Sequence, residues 1–158
     1  MNTTDIEAAL AADKFTSAIN FAVLPSNHLP QETAIQRPVL LVINLSPCSH
    51  PGSHWLAVYL PKSGNGELFC SYGTSPEDYR KMNEHFDNFY RLNFASGCLY
   101  SDVQLQSLYS SYCGQYVTLF LLCRARNLSY VSFLKCFTSD VVVNDAIVCN
   151  WWLSYVKQ

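Results

Sequence analysis

The chain lacks any apolar run long enough to cross a membrane, and it also lacks a cluster of basic residues. Its longest apolar run, around Val117 to Cys123, meets polar residues within a few positions of either end, whereas a membrane-spanning helix needs about 20 apolar residues. The 10 Lys and Arg residues are scattered among 12 Asp and Glu, for a formal net charge of −2. Because affinity for nucleic acid rests largely on clustered Lys and Arg, we expect no membrane partner and regard DNA as a doubtful one.

A secretory signal and paired cysteines are missing as well. The segment Met1 to Leu10 has no basic start and carries acids within its apolar stretch, so it does not resemble a signal peptide. Thr4 and Glu7 instead predict a helix that opens with a capping box. The chain has seven cysteines, an odd number, and no C-x2-C pair. We therefore expect reduced thiols and an intracellular location.

Length and composition predict a single domain over residues 1–158. A chain of 158 residues that is 49% hydrophobic and 14% aromatic can form one substantial core. Its composition indicates neither disorder nor linkers. The hydrophobic patterns predict an α+β fold with strands over Leu40–Asn44, His54–Leu60, Glu67–Tyr72 and Gly97–Leu105. Helices are predicted at the amino terminus, from Ser75, over Gly114–Asn127, which is apolar, and over Val141–Val156 at the end. The helix from Ser75 has a buried stripe of Tyr79, Met82, Phe86 and Tyr90.

Cys113 stands at the start of the apolar helix and is the first candidate for chemistry. At a helix amino terminus the free N–H groups and the positive end of the helix dipole favour an anion. The position therefore predicts a lowered thiol pKa and a nucleophilic thiolate. The alternative is a cysteine that packs as a small hydrophobe, which is the role we expect for Cys123, Cys136 and Cys149.

His54 is the candidate base for this thiol. It begins a predicted strand and follows a turn-rich loop, so its imidazole should lie at the exposed end of that strand. The segment Pro61 to Gly66 carries hairpin signals, and the next strand should therefore fold back and bring positions near 70 to 73 alongside His54. Cys70 occupies this place. The remaining histidines are predicted to be solvated or structural: His28, His50 and His85.

Four segments in order give the chain a family resemblance. It is similar to the adenain-type cysteine endopeptidases of adenoviruses and Maverick/Polinton elements, in the clan that includes the ubiquitin-like-protein proteases. The pairing of His-Trp with Gln-x6-Cys-Gly is the specific part of this resemblance. The matching segments are Phe21 to Pro30, Leu40 to Asn44 running into Gly52 to Trp55, Phe69 to Gly73, and Gln106 to Tyr116, with a weaker match at Phe137 to Asp140 followed by Asn144 and Asp145.

The resemblance implies a papain-like arrangement, with a central mixed sheet packed on a buried helix that carries the nucleophile. It implies that His54 is the general base, that Cys113 is the nucleophile and that the Gln106 side chain donates to the oxyanion hole. Trp55 would wall a narrow substrate cleft. The implied activity is thiol-protease hydrolysis of structural precursor proteins in viral or virus-like maturation, in a host-cell nucleus or virion, without a cofactor except a possible activating peptide near Cys98.

One position departs from the family. Relatives carry Asp or Glu where this chain has Cys70, and a neutral thiol is a weak hydrogen-bond acceptor. Three explanations stay open: a dyad of reduced power, another acid such as Glu77 or Asp78, or an inactive relative of the protease.

Other functions stay open at the same level. An inactive fold would serve as a peptide-binding module, and an isopeptidase for a ubiquitin-like modifier shares the clan. A zinc site is a further alternative, although its spacing fits no common zinc motif and we therefore expect no metal. Its ligands would be Cys48, His50, His54 and Cys70.

Overall fold

A computed structural model describes residues 1–49 and 53–156 and confirms the α+β class. The elements of the described chain are, in order, α1 (Thr3–Ala12), β1 (Asn20–Pro25), a 3-10 turn (Ser26–His28), β2 (Val39–Asn44), β3 (Trp55–Leu60), β4 (Gly66–Phe69), α2 (Pro76–Met82), α3 (Glu84–Asn93), β5 (Cys98–Leu99), α4 (Cys113–Ala125), α5 (Tyr130–Leu134) and α6 (Val141–Tyr155). Among these described residues, no helix is both long enough and apolar enough to span a bilayer.

The five strands form one mixed sheet in the order β1-β2-β3-β4-β5. β1 runs parallel to β2, the pairs β2–β3 and β3–β4 are antiparallel, and β5 lies parallel to β4. The predicted hairpin is confirmed, since Ala57 on β3 pairs with Phe69 on β4. This register brings the residue that follows β4 to the beginning of β3.

Both faces of the sheet are covered, because side chains alternate along each strand between two cores. Leu40 and Val42 of β2 belong to a core shared with α1, α4, α5 and α6. Leu41 and Ile43 belong to a second core shared with α2 and α3. Aromatic rings fill much of both cores, including a stacked pair of Phe69 and Phe120 with centroids 4.9 Å apart. The buried helix α4 thus packs directly on the sheet, as the resemblance implied.

The helices depart from the predicted ones at α1, at the helix after Ser75 and at α5, which was not predicted. α1 begins one residue before Thr4, and its capping box is made by Asn2 and Asp5, whose short side chains bond each other's backbone N–H groups. The predicted long helix after Ser75 is two helices, because Asn83 adopts an extended conformation and caps the second one. Met82 therefore leaves the buried stripe and is 72% exposed.

The predicted strand over 97–105 was too long. Only Cys98 and Leu99 pair with β4. Farther along, the N–H groups of Leu105 and Gln106 both donate to the carbonyl oxygen of Ser71, so the chain turns toward the end of β4 instead of extending the ladder. This turn delivers Gln106 to the region of Cys70.

Candidate active site

Cys113 is the first residue of α4, as predicted. The backbone N–H groups of Trp55 and Gly114 favour its thiolate, so the amino end of α4 meets the beginning of β3 near this sulfur. Burial nevertheless raises the pKa of the Cys113 thiol above its ordinary value, and the N–H donors oppose this only in part. The expected lowering of this pKa was wrong, because desolvation of the thiolate outweighs the helix terminus.

His54 directly precedes β3 and is half-buried. Its Nε2 lies 3.4 Å from the sulfur of Cys70, and its ring stacks on Tyr72 with centroids 4.8 Å apart. Nδ1 is buried and has no hydrogen-bond partner among the described groups. Burial lowers the pKa of His54 to about 4. The imidazole is therefore neutral at pH 7, and Nδ1 is the nitrogen left to take a proton.

Cys70 follows β4 and is only 3% exposed. Besides His54, its sulfur contacts the Tyr79 hydroxyl at 3.0 Å and the backbone nitrogen of Tyr72 at 3.3 Å. The predicted meeting of Cys70 with His54 is confirmed. These contacts place a thiol at the position where the resemblance implied an acid.

The two acids considered as substitutes for that carboxylate form other bonds. Glu77 is exposed and forms an ion pair with Arg80 at 2.8 Å. Asp78, also exposed, accepts a hydrogen bond from the N-capping Ser75 at 2.8 Å. Both carboxylates therefore stabilise the beginning of α2, and their contacts do not support a role beside His54.

Gln106 is fully buried in a loop that leads to Cys113. Its side-chain carbonyl accepts a hydrogen bond from Ser71 at 2.6 Å. Its amide nitrogen donates to the carbonyl and the hydroxyl of Ser110, at 3.0 and 3.1 Å. The Gln106 side-chain amide, which was predicted to donate to an oxyanion, thus bonds to Ser110 within its own loop. The oxyanion role of Gln106 stays a prediction.

Two residues of α6, Asn144 and Asp145, hold the same loop from behind. Asp145 accepts hydrogen bonds from the Ser107 backbone N–H at 3.3 Å and from the Tyr116 hydroxyl at 3.0 Å. Asn144 donates to the carbonyl oxygen of Leu105 at 3.2 Å. Both side chains are buried. The weak match at Asn144 and Asp145 was the only sequence signal for this role.

Other predicted site residues are placed as follows. The Trp55 side chain is 8% exposed and belongs to the α4-side core, while its backbone reaches Cys113; its part in a substrate cleft stays a prediction. Cys98 lies on β5, where burial raises its pKa to about 11 although the nearby Tyr90 hydroxyl acts in the opposite direction. His50 of the zinc alternative lies outside the described residues, and the described part holds no group of three or more His, Cys, Asp or Glu suited to a metal ion.

Comparisons with known proteins support the fold. No protein-family model matches the chain, and no curated protein matches it. A crystal structure of ASFV pS273R protease is similar, with a TM-score of 0.57 and 17% sequence identity over 91% of this chain and 63% of that one. A selenomethionine crystal structure of the same protease gives a TM-score of 0.44 and 23% identity over 63% of this chain and 39% of that one. The chain thus spans less than two thirds of that protease, and over this length it has the fold of a viral protease.

Proposed function

We propose that the protein is an adenain-type cysteine endopeptidase. The proposal rests on the approach of the beginning of β3 to Cys113, the first residue of α4. The backbone N–H of Trp55, the residue next to His54, favours the thiolate of Cys113, and His54 keeps an unpartnered Nδ1. We infer that His54 serves as the base for Cys113, with Cys70 bonded to its other ring nitrogen, since nucleophilic catalysis uses a thiol, a base and a third group that orients the base.

The resting site holds a neutral thiol and a neutral imidazole, because burial raises the pKa of Cys113 and lowers that of His54. Attack is therefore coupled to proton transfer. The Cys113 proton moves to Nδ1 of His54 while the sulfur adds to the substrate carbonyl. The resulting imidazolium returns this proton to the leaving amine, which leaves a thioester. Water then attacks the thioester, with His54 as base, and releases the acid and the thiol.

The developing oxyanion needs hydrogen-bond donors near Cys113. The backbone N–H of Cys113 belongs to the first turn of α4, where amides have no partner within the helix. Gln106 supplies a second donor if Ser110 releases its amide, so substrate binding has to rearrange the loop that both residues share. Such a donor is worth about 3–4 kcal/mol in other proteases.

We further propose, from the resemblance, extended segments of structural precursor proteins with small residues near the cut as substrates. Maturation of a virus or a virus-like element would be the process, in the nucleus of the host cell or in the virion. An activating peptide belongs to the same proposal, whereas the net charge of −2 does not favour DNA.

A peptide-binding module without catalysis is the second candidate. Two observations favour it: Cys70 stands where a carboxylate is expected, and the Gln106 amide is fully buried with its donors on Ser110. Either feature would lower the rate of catalysis without disturbing the fold. The two functions differ in the reactivity of Cys113.

The test is cleavage of glycine-containing precursor peptides, read by mass spectrometry together with iodoacetamide labelling of Cys113. We expect the wild type to cleave and both Cys113→Ala and His54→Ala to lose cleavage. Cys123→Ala is the matched control, since it removes another half-buried thiol of the same helix, and it should keep full activity. Cys70→Asp should accelerate cleavage about tenfold or more, because a carboxylate stabilises imidazolium better than a thiol.

An outcome in which no peptide is cut, and Cys113 reacts no faster than Cys123 with or without His54, contradicts the protease and favours the binding module. Labelling of Cys113 by a ubiquitin-like modifier with a carboxy-terminal electrophile, without cleavage of any precursor peptide, would instead identify an isopeptidase.

A further inference from the structure

α6 is apolar on the side that faces solvent as well as on the side that faces the core. Its only charged residue is Asp145, which is buried. The exposed residues of the helix are mainly aliphatic and carry no charge: Val142, Val143, Ala146, Ile147, Asn150, Leu153 and Ser154. A helix on a protein surface normally turns charged residues toward water, and a helix that is apolar all round is normally buried. The exposed side of α6 therefore has the composition of a surface that another molecule covers.

The seven exposed residues form one continuous strip along α6. Val142, Ala146, Asn150 and Leu153 recur at intervals of three or four residues, so they lie in a line about 16 Å long on one side of the helix. The other three adjoin this line on one flank, because they follow the same spacing. Ala146, the smallest of the apolar residues, lies near the middle of the strip.

The loop before Cys113 extends this strip at its amino-terminal end. Asp145 lies about one turn after Val142 and accepts a hydrogen bond from the Ser107 N–H at 3.3 Å. Leu108 and Tyr109 follow Ser107 directly, and both side chains are exposed. The strip together with Leu108 and Tyr109 is called the α6 face below.

The α6 face is large enough for a stable interface. Its large apolar residues are 37–101% exposed, which corresponds to about 700 Å² of mainly apolar surface. The largest apolar patch on a typical monomer covers about 300–600 Å². A standard protein interface buries about 800 Å² on each partner, and a specific one buries at least about 1,000 Å² in total. Two α6 faces that cover each other would bury about 1,400 Å² in total and pass this threshold.

The chemistry of the α6 face favours a second copy of this chain over a different protein. Interfaces between different proteins that also exist apart are about as polar as the rest of the surface, whereas homodimer interfaces are more apolar. The α6 face has no charge for an acidic or basic partner to pair with. A second copy offers the same uncharged aliphatic surface and is therefore complementary to it.

We propose that the protein forms a homodimer in which two α6 helices pack antiparallel about a two-fold axis between Ala146 and Asn150. In an isologous contact of this kind each pair of residues occurs twice, so Val143 of each copy faces Leu153 of the other. Ala146 faces Asn150, and its small side chain leaves room for the Asn150 amide. This amide both donates and accepts hydrogen bonds, so the two copies can satisfy each other's amides beside the axis.

The same arrangement brings the second copy close to the candidate active site. Leu108 and Tyr109 lie beside the amino-terminal half of α6, so they contact the carboxy-terminal half of the other helix. Their loop leads directly to Cys113. Association needs no catalysis, and the inference therefore does not depend on the proposed function.

The test is analytical ultracentrifugation of the purified protein between about 1 and 200 µM, under reducing conditions. We expect the wild type to pass from the mass of one copy to that of two as its concentration rises. Ala146→Glu and Ala146→Lys each place two like charges across the axis, so each should weaken association by about 100-fold or more. Ala, Glu and Lys all favour a helix, and this position is exposed, so the fold should be kept.

A mixture of the two charge variants tests the two-fold axis itself. Equal amounts of Ala146→Glu and Ala146→Lys should associate again, because each pair then places opposite charges across the axis. The matched control is Met82→Glu, which adds the same charge at another exposed apolar residue. Met82 ends α2, which packs against the other face of the sheet, so this variant should associate like the wild type. Val142→Glu gives a further variant of the α6 face if Ala146 tolerates no charge, since an acid in the first turn favours the helix.

A wild type that keeps the mass of one copy throughout this range overturns the inference, and the α6 face would then belong to a different partner. A dimer that persists in the folded charge variants of the α6 face, or that Met82→Glu weakens as much as they do, also overturns it. A mixture of the two Ala146 variants that stays monomeric contradicts the two-fold axis.

Discussion

Acidification should destabilise the protein through His54. Burial lowers the pKa of this imidazole to about 4 in the folded protein, whereas a histidine in an unfolded chain has a pKa of about 6.5. Between these values the unfolded chain binds a proton that the folded one does not, so the stability from His54 is complete above pH 6.5 and is lost as the pH falls toward 4. At about 1.4 kcal/mol for each pKa unit, the free energy of unfolding should fall by about 3 kcal/mol across this window.

Urea unfolding of the wild type and of His54→Gln between pH 4 and pH 8 measures this effect. Glutamine stays neutral throughout and keeps a side-chain amide that can bond to Cys70. Carboxylates whose pKa is lowered by arginine partners, such as Asp13 and Asp87, also destabilise the fold in acid, but both proteins carry them and their effect cancels. Relative to the variant, the wild type should therefore be about 3 kcal/mol more stable at pH 7 than it is at pH 4.

Parallel stability curves for the two proteins would refute the reasoning. They would mean that His54 titrates alike in the folded and unfolded states and is not buried as a neutral base. A stability difference that instead shifts toward the wild type as the pH falls would mean a raised His54 pKa, and the coupled proton transfer proposed for Cys113 would then give way to a thiolate and imidazolium pair that exists before substrate binds.

Two further predictions concern groups that support the site. Arg124→Met leaves the buried Glu67 carboxylate without its bidentate partner at 2.6 and 2.9 Å, so the free energy of unfolding in urea should fall by about 3 kcal/mol. The double variant with Glu67→Met should recover most of this loss. Losses that add up in the double variant would contradict the pairing. Gly73→Ala places a Cβ atom at a φ of 71° and within 2.5 Å of the Asp102 carbonyl oxygen. It should therefore lower the free energy of unfolding by about 1–3 kcal/mol more than Gly64→Ala, because Gly64 has a φ of 89° but open space around it. Equal losses would show that the close approach to Asp102 does not matter.

The main parts of the site were predictable because they depend on local patterns. The apolar run after Cys113 predicts a buried helix whose first residue is that cysteine. Alternating strands and a Gly-rich turn predict the hairpin that carries Cys70 to His54. A period and a turn are properties of neighbouring residues, so the chain itself contains them.

The rest depends on tertiary packing. The helix terminus predicted a low thiol pKa for Cys113, but the degree of burial decides the sign, and burial is fixed by how α4 meets β3. Tyr79 fits the helical stripe of a core residue, and only the approach of α2 to the end of β4 shows that its hydroxyl meets a sulfur. The split of the helix at Asn83 follows from a side chain that competes with the helical backbone, which periodicity alone does not register.

The hold of α6 on the Gln106 loop has a consequence for biosynthesis. A nascent chain that has emerged through α4 already contains His54, Cys70, Gln106 and Cys113, but Asp145 has not yet reached Ser107 and Tyr116. The contacts of α6 with the loop before Cys113 therefore form only when α6 folds back against α4. Synthesis order thus delays these contacts until nearly the whole described chain is available, and until then the loop is held only by its bonds to Ser71 and within itself.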